Sequence, residues 1–453
     1  MTFDHSTLAI LAEALDHLEA GFDDLPPFEP ELDHDALRAV LLETADRLRD
    51  NYPYQHPFYA GQMLKPGHPV ARLAYALAQY LNPNNHALDG SRASSPMEKE
   101  AVAHIAAMFG WQTHLGHLTG GGTMANLEAL WVAGMLHPGK KIVASSQAHY
   151  THSRISEVLG LRFESIPVDS RARMDVGALE AALRAGDVGT VVVTMGTTAT
   201  ASVDPLPEVL ALQKRYGFRI HADAAYGGYY TLADNLDPDA RAAFDGLDQV
   251  DSLVVDPHKH GLQPYGCGCI IFRDPAVGAL YKHDSPYTYF TSAELHLGEI
   301  SLECSRAGAS AVALWATQRL FPLERAGEFA ANLGKCRFAA LALHQKLSAD
   351  PRFMTAFPPQ LDIVIFAPRG ANASEISRRS HALFETAAAE NLHLALVNLP
   401  QSLLGAWWTE IDWDQPTVTC LRSCLLKPEH LDWIERIWSA LYRAADAAAT
   451  AAT

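Results

Sequence analysis

Two side chains 36 positions apart could do chemistry together. Asp223 stands in His221-Ala222-Asp223-Ala224-Ala225, and Lys259 stands in Asp256-Pro257-His258-Lys259-His260-Gly261. Each segment follows a run with the residue types of a buried strand, Phe218-Arg219-Ile220 before the first and Leu253-Val254-Val255 before the second. Both side chains are therefore expected to emerge at strand ends. A primary amine can condense with an aldehyde, and a carboxylate can keep a heteroaromatic ring nitrogen protonated, so that the ring accepts electrons.

Pyridoxal 5'-phosphate needs both parts: a lysine that carries its aldehyde as a Schiff base and an acid that holds its ring nitrogen. The two segments, with Gly261-Leu262-Gln263-Pro264-Tyr265-Gly266-Cys267-Gly268 after the lysine, resemble the group II pyridoxal-phosphate-dependent amino-acid decarboxylases. The resemblance runs in order through roughly residues 50 to 440. It implies an α/β fold of the aspartate aminotransferase-like class (fold type I), a mixed, mostly parallel seven-stranded sheet with a small C-terminal α/β domain. It also implies removal of carbon dioxide from an L-amino acid to leave an amine. Other reactions on the same scaffold, an aldehyde-forming oxidative decarboxylation, a carbon-carbon lyase step or an amino transfer, stay open.

Further residues take expected roles. Thr119-Gly120-Gly121-Gly122-Thr123-Met124-Ala125-Asn126 precedes a helical run, so backbone N–H groups and the Thr123 hydroxyl can face an anion. The resemblance makes Gly122, Thr123 and His258 phosphate contacts. It places His149 on one face of the cofactor ring, Ala225 on the other, and Thr198 near the cofactor edge. Arg422, in Cys420-Leu421-Arg422-Ser423, matches a substrate-carboxylate anchor, and an arginine buried without a partner would be costly. The acid that reprotonates Cα is Tyr287, Tyr289 or His149, since Asp284-Ser285-Pro286-Tyr287-Thr288-Tyr289-Phe290 is similar to a loop carrying a catalytic tyrosine. That loop often reaches the neighbouring subunit, which implies a homodimer with shared active sites. Phe58, Tyr59 and Tyr289 suit an aromatic or apolar substrate side chain, whereas His86 and Arg92 suit an acidic one.

The elements that must position these residues alternate. Lys141–Ala144, Phe163–Val168 and Val191–Val193 read as strands, and Ile155–Leu159, Val176–Arg184 and Leu206–Tyr216 read as helices. Such alternation predicts a parallel sheet covered on both faces, with ligands beyond the carboxyl ends of the strands. A helical passage from Ala309 to Leu347 leads to a final unit closed by an amphipathic helix from His430 to Ala445. The expected division is an N-terminal arm (1–95), a large cofactor domain (96–345) and a small domain (346–453).

With 453 residues, 48% hydrophobic and 19% charged, the composition is that of a globular enzyme. A net charge of -17 disfavours nucleic acid and anionic membranes as partners. The first residues lack a basic start followed by an apolar run, and no stretch has membrane-spanning length, so the expected location is the cytoplasm. The six cysteines lack paired Cys-x-x-Cys spacing, so no metal site is expected, and reduced, mostly buried thiols are.

Overall fold

The chain places β4 (Val188–Thr194) at the centre of its larger sheet, and all seven of its residues are buried. A valine-rich strand without polar alternation is what two-sided burial requires. This computed structural model describes residues 4–282 and 295–451. Around β4 lie β1 (Leu115–Thr119), β2 (Lys141–Ser145), β3 (Arg162–Ile166), β5 (Arg219–Asp223), β6 (Ser252–Val255) and β7 (Gly268–Phe272). Their order is β1-β7-β6-β5-β4-β2-β3. The neighbours from β3 through β6 are parallel, and β7 runs antiparallel to both β6 and β1. The mixed, mostly parallel seven-stranded sheet expected from the sequence is thus present.

Alternate residues divide the sheet between two cores. Val191, Val193, Ile220, Ala222, Leu253 and Val255 pack with helices Ser94–Met108 and Leu206–Tyr216. Val192 and Val254 point the other way, toward Ala125, Ala129, Leu130 and Val132 of helix Gly122–Leu136. Period-2 alternation puts His221 and Asp223 on this second face. Leu206–Tyr216 has the bounds predicted for it and ends on Gly217 in the left-handed region (φ 68°), as a helix C-terminus favours.

The smaller sheet is antiparallel, with β8 (Phe353–Thr355), β9 (Ile363–Pro368), β10 (Ala395–Pro400) and β11 (Thr417–Cys424) in the order β10-β11-β9-β8. Leu343, Phe366, Leu383, Leu421, Ile437 and Leu441 form its own core beneath the closing helix, which runs from His430 to Ala451. The helical passage expected from Ala309 splits into Gly308–Leu320 and Glu328–Ala349. Pro322 explains the break, because it pushes Phe321 out of the helical region, to φ -126° and ψ 84°.

Residues 58–65 are stitched to the small sheet. His393 N–H donates to Phe58 O (2.9 Å), and Cys424 N–H to Ala60 O (2.7 Å). Three basic side chains add to the seam: Lys65 Nζ to Leu426 O (3.1 Å), Lys427 Nζ to Tyr59 O (2.6 Å) and Arg422 Nη1 to Gln62 Oε1 (3.0 Å). Burial, with Lys65 nearby, lowers Lys427 to about 7. Helices Thr7–Glu19 and His34–Leu48, in contrast, bury none of their residues.

A second buried tie fixes the end of β1. Arg306 Nη1 sits 2.7 Å from Glu98 Oε1, and both side chains are almost wholly buried. The same guanidinium donates to Leu118 O and Asn85 O, while Glu98 accepts from Leu118 N–H and Asn85 Nδ2. Arg306→Leu leaves Glu98 charged and buried without its cation, an expected loss of about 3–5 kcal/mol. A lowered thermal midpoint should report it, with much of the loss recovered in the Arg306→Leu/Glu98→Leu double variant.

Candidate active site

Asp223 ends β5, and Lys259 lies in the loop joining β6 to β7, so both reach the carboxyl edge of the sheet. They open on one cavity of about 490 Å³, within the roughly 300–1,000 Å³ usual for small-molecule sites. Gly122, Thr123, His149, Thr198, Ala225 and His258 line the same cavity. Every cofactor-side residue picked out by sequence is therefore brought together here. Arg422 is buried but is not among the residues lining it. Tyr287 and Tyr289 lie outside the described residues.

Asp223 is an acid held ionised in the interior. Burial by itself would raise its pKa, but the hydrogen bond from His152 and the nearby Lys259 and His221 bring it well below the usual carboxylate range. His152 Nε2–H donates to Oδ2 at 2.8 Å, and Ala225 N–H donates to Oδ1 at 3.2 Å. Lys259 Nζ rests 3.0 Å from Asp256 Oδ2, while Asp256 Oδ1 is buried and unpartnered.

The glycine loop that lines the cavity is shaped for an anion. Gly120, Gly121 and Gly122 lead into a 15-residue helix, whose first N–H groups lack intrahelical acceptors. A Cβ at Gly122 would stand 2.6 Å from Asp256 Oδ2, so any side chain here would have to displace that carboxylate. Gly268 carries the same constraint from below, since a Cβ there would meet the Gly121 carbonyl carbon at 2.5 Å. That contact explains the small-residue segment after the lysine. His258 is pinned by Cys267 N–H (3.3 Å) and lies against the Tyr265 ring, and burial lowers its pKa.

His149 is half-buried, and burial lowers its pKa too. Its Nδ1 accepts from Thr151 N–H (3.3 Å) and bonds the Thr151 hydroxyl, so the neutral ring carries its proton on Nε2. Thr198 is exposed at the cavity mouth. Ala225, whose N–H is engaged by Asp223, leaves only a methyl at the wall.

Three residues escaped the sequence reading. His152 is wholly buried, its only signal being a place three positions after His149. Asn126 Nδ2 donates to Gly122 O (2.9 Å) and its Oδ1 meets His221 Nε2 (2.8 Å), which ties the glycine loop to β5. Asp256, three positions before Lys259, restrains the amine.

An amine, an ionised acid and a bare N–H loop around one cavity fit pyridoxal phosphate. The family described as "Pyridoxal-dependent decarboxylase conserved domain" matches residues 131–369. The chain belongs to the pyridoxal-dependent decarboxylase family. It is a carboxy-lyase whose cofactor is pyridoxal phosphate. A "Probable L-tyrosine/L-aspartate decarboxylase" of Methanothermobacter thermautotrophicus is 30% identical, over 71% of this chain and 86% of the relative. An "L-tyrosine decarboxylase" of Levilactobacillus brevis is 26% identical, over 80% and 75%. The fold is shared with mouse CSAD in apo form (TM-score 0.77, 19% identity, 95% of this chain and 92% of that one). It is also shared with Oryza sativa TDC with PLP and tryptamine (TM-score 0.77, 19% identity, 98% and 99%).

Gly122→Ala tests the anion seat. The added methyl must displace the Asp256 carboxylate, and overpacking of this kind should weaken pyridoxal phosphate binding about tenfold. Fluorescence titration of the cofactor-free protein measures it, and unchanged affinity would remove the glycine loop from the site.

Proposed function

We propose that this chain converts an L-amino acid to the corresponding amine and carbon dioxide, with Lys259 and Asp223 as the two poles of the reaction. The observation that carries the reading is that a lysine amine and an ionised, buried carboxylate face one cavity. Pyridoxal phosphate, when bound, supplies a conjugated ring that takes up the electron pair of the breaking bond.

The chain's own residues do the rest. Asp223 would hold a proton on the ring nitrogen, and Lys259 would provide the amine that attaches the aldehyde. Backbone N–H groups at Gly122 and Thr123, with His258, hold the phosphate. His149 and Ala225 would flank the ring, and Thr198 would border it. Arg422 binds the substrate carboxylate, a role supported by two buried guanidinium nitrogens, Nε and Nη2, that have no partner. The proton for Cα comes from Tyr287, Tyr289 or His149, the last of which keeps a proton on Nε2.

The chain is read as an arm (1–95), a cofactor domain (96–345) and a small domain (346–453), working in the cytoplasm. No described helix is long and apolar enough to cross a membrane. The assembly is a homodimer. Supporting this, Leu37, Leu41 and Leu48 form an exposed apolar stripe on helix His34–Leu48, a surface that a second copy would cover.

Incubation with a panel of L-amino acids decides the reaction, starting with tyrosine, aspartate and 2,4-diaminobutyrate, the substrates after which relatives are named. Carbon dioxide with stoichiometric amine is expected; aldehyde or keto acid would move the chain to another reaction of the scaffold. Lys259→Ala should abolish turnover and the visible cofactor band, and Asp223→Ala should keep some cofactor but lose most activity. Full activity in either variant refutes the assigned roles. For the assembly, light scattering should give a dimer that Leu41→Asp/Leu48→Asp splits, and a wild-type monomer would refute it.

A further inference from the structure

We propose that His152 is a positioning residue for the reaction, holding the Asp223 carboxylate in the orientation and charge state that the cofactor ring nitrogen requires. This rests on the role given to Asp223 above.

The geometry is specific. His152 is wholly buried in helix Thr151–Val158, and its Nε2 lies 2.8 Å from Asp223 Oδ2. An ionised carboxylate only accepts, so this nitrogen donates. Its other nitrogen, Nδ1, is buried and has no partner, so the imidazole makes one polar contact in the described structure, and that contact is the acid. A plain core position would favour an aliphatic side chain over a ring with a stranded nitrogen.

The bond also fixes direction. Oδ1 is held by Ala225 N–H and Oδ2 by His152, so the carboxylate plane cannot swing. His221, two residues earlier on the same strand face, is spent on Ser252 Oγ (2.9 Å) and Asn126 Oδ1 (2.8 Å) and cannot take over. The other titratable groups facing this region are His149, Lys259 and Asp256. His152 thus acts through Asp223 and touches no reacting atom.

His152→Leu should raise the pyridoxal phosphate dissociation constant about tenfold, the scale of a lost hydrogen bond to a charged group. It should cut kcat more than KM and move the acid limb of cofactor affinity to higher pH. His152→Gln, which keeps a donor close to the Nε2 position, should stay within about threefold of wild type. Equal loss in both variants would mark a purely structural residue, and no loss in either would leave the acid independent of His152; both outcomes overturn the proposal. Should His152→Leu not fold, the nitrogen NMR signal of His152 in the wild-type apoprotein replaces it. That signal must shift in Asp223→Asn, and a static signal refutes the bond. Full activity of Asp223→Ala would instead sink the reading on which this one stands.

Discussion

The structure turns on an ionised carboxylate kept out of water at the end of β5. Placing a charge there costs several kcal/mol unless donors surround it. Here the compensation comes from a histidine on helix Thr151–Val158, the N–H of Ala225 and the cation of Lys259 beyond. The helix carrying His152 follows β2, and Lys259 follows β6, so the environment of one acid depends on connections drawn from both sides of β5 in the sheet. Strand order, rather than local sequence, brings these groups together. That is why a parallel sheet with its loops gathered at the carboxyl edge suits this chemistry.

The anion end of the cavity depends on the same face. Asn126 joins the Gly122 carbonyl to His221, two residues before Asp223, so the glycine loop and the strand that carries the acid share a hydrogen-bonded link. Beneath the loop, Gly268 and Gly122 allow backbones and the Asp256 carboxylate to approach more closely than any side chain would permit. Behind it, the Arg306–Glu98 pair locks the end of β1 to residues 85–98. The separation of Asp223 from the glycine loop is thereby fixed by rigid elements, which preorganises the cavity.

Much of this was legible in the sequence, and for a physical reason. Strands β4, β6 and β7 are valine- or isoleucine-rich runs of buried residues, the glycine loop announces a helix N-terminus, and Lys259 and Asp223 follow or close apolar runs. Leu206–Tyr216 could be bounded to the residue because Pro205 and Gly217 punctuate it. What sequence could not give were pairings across the fold. His152 looks like any helix residue until the chain places it 2.8 Å from an acid 71 positions away. Arg306 gave no signal of its role because Glu98, its partner, precedes it by 208 positions. Spacing carries no information at such separations.

The substrate side shows the same limit in a stronger form. Tyr265 lies against His258 and donates through its hydroxyl to Met63 O (3.0 Å), so the arm segment touches the cofactor loop directly. That segment is in turn held by Lys65, Arg422 and Lys427, whose donors all cross the seam between residues 59–65 and 422–427. Two of these basic side chains bind backbone carbonyls, which any sequence would supply, so the seam tolerates change in the residues it presents. Arg422 differs: it spends one nitrogen on Gln62 and keeps others free. A buried guanidinium with spare donors is stable only where an anion or water completes it. The seam therefore separates two jobs, holding residues 59–65 in place with two lysines and leaving Arg422 with spare donors that an anion would complete.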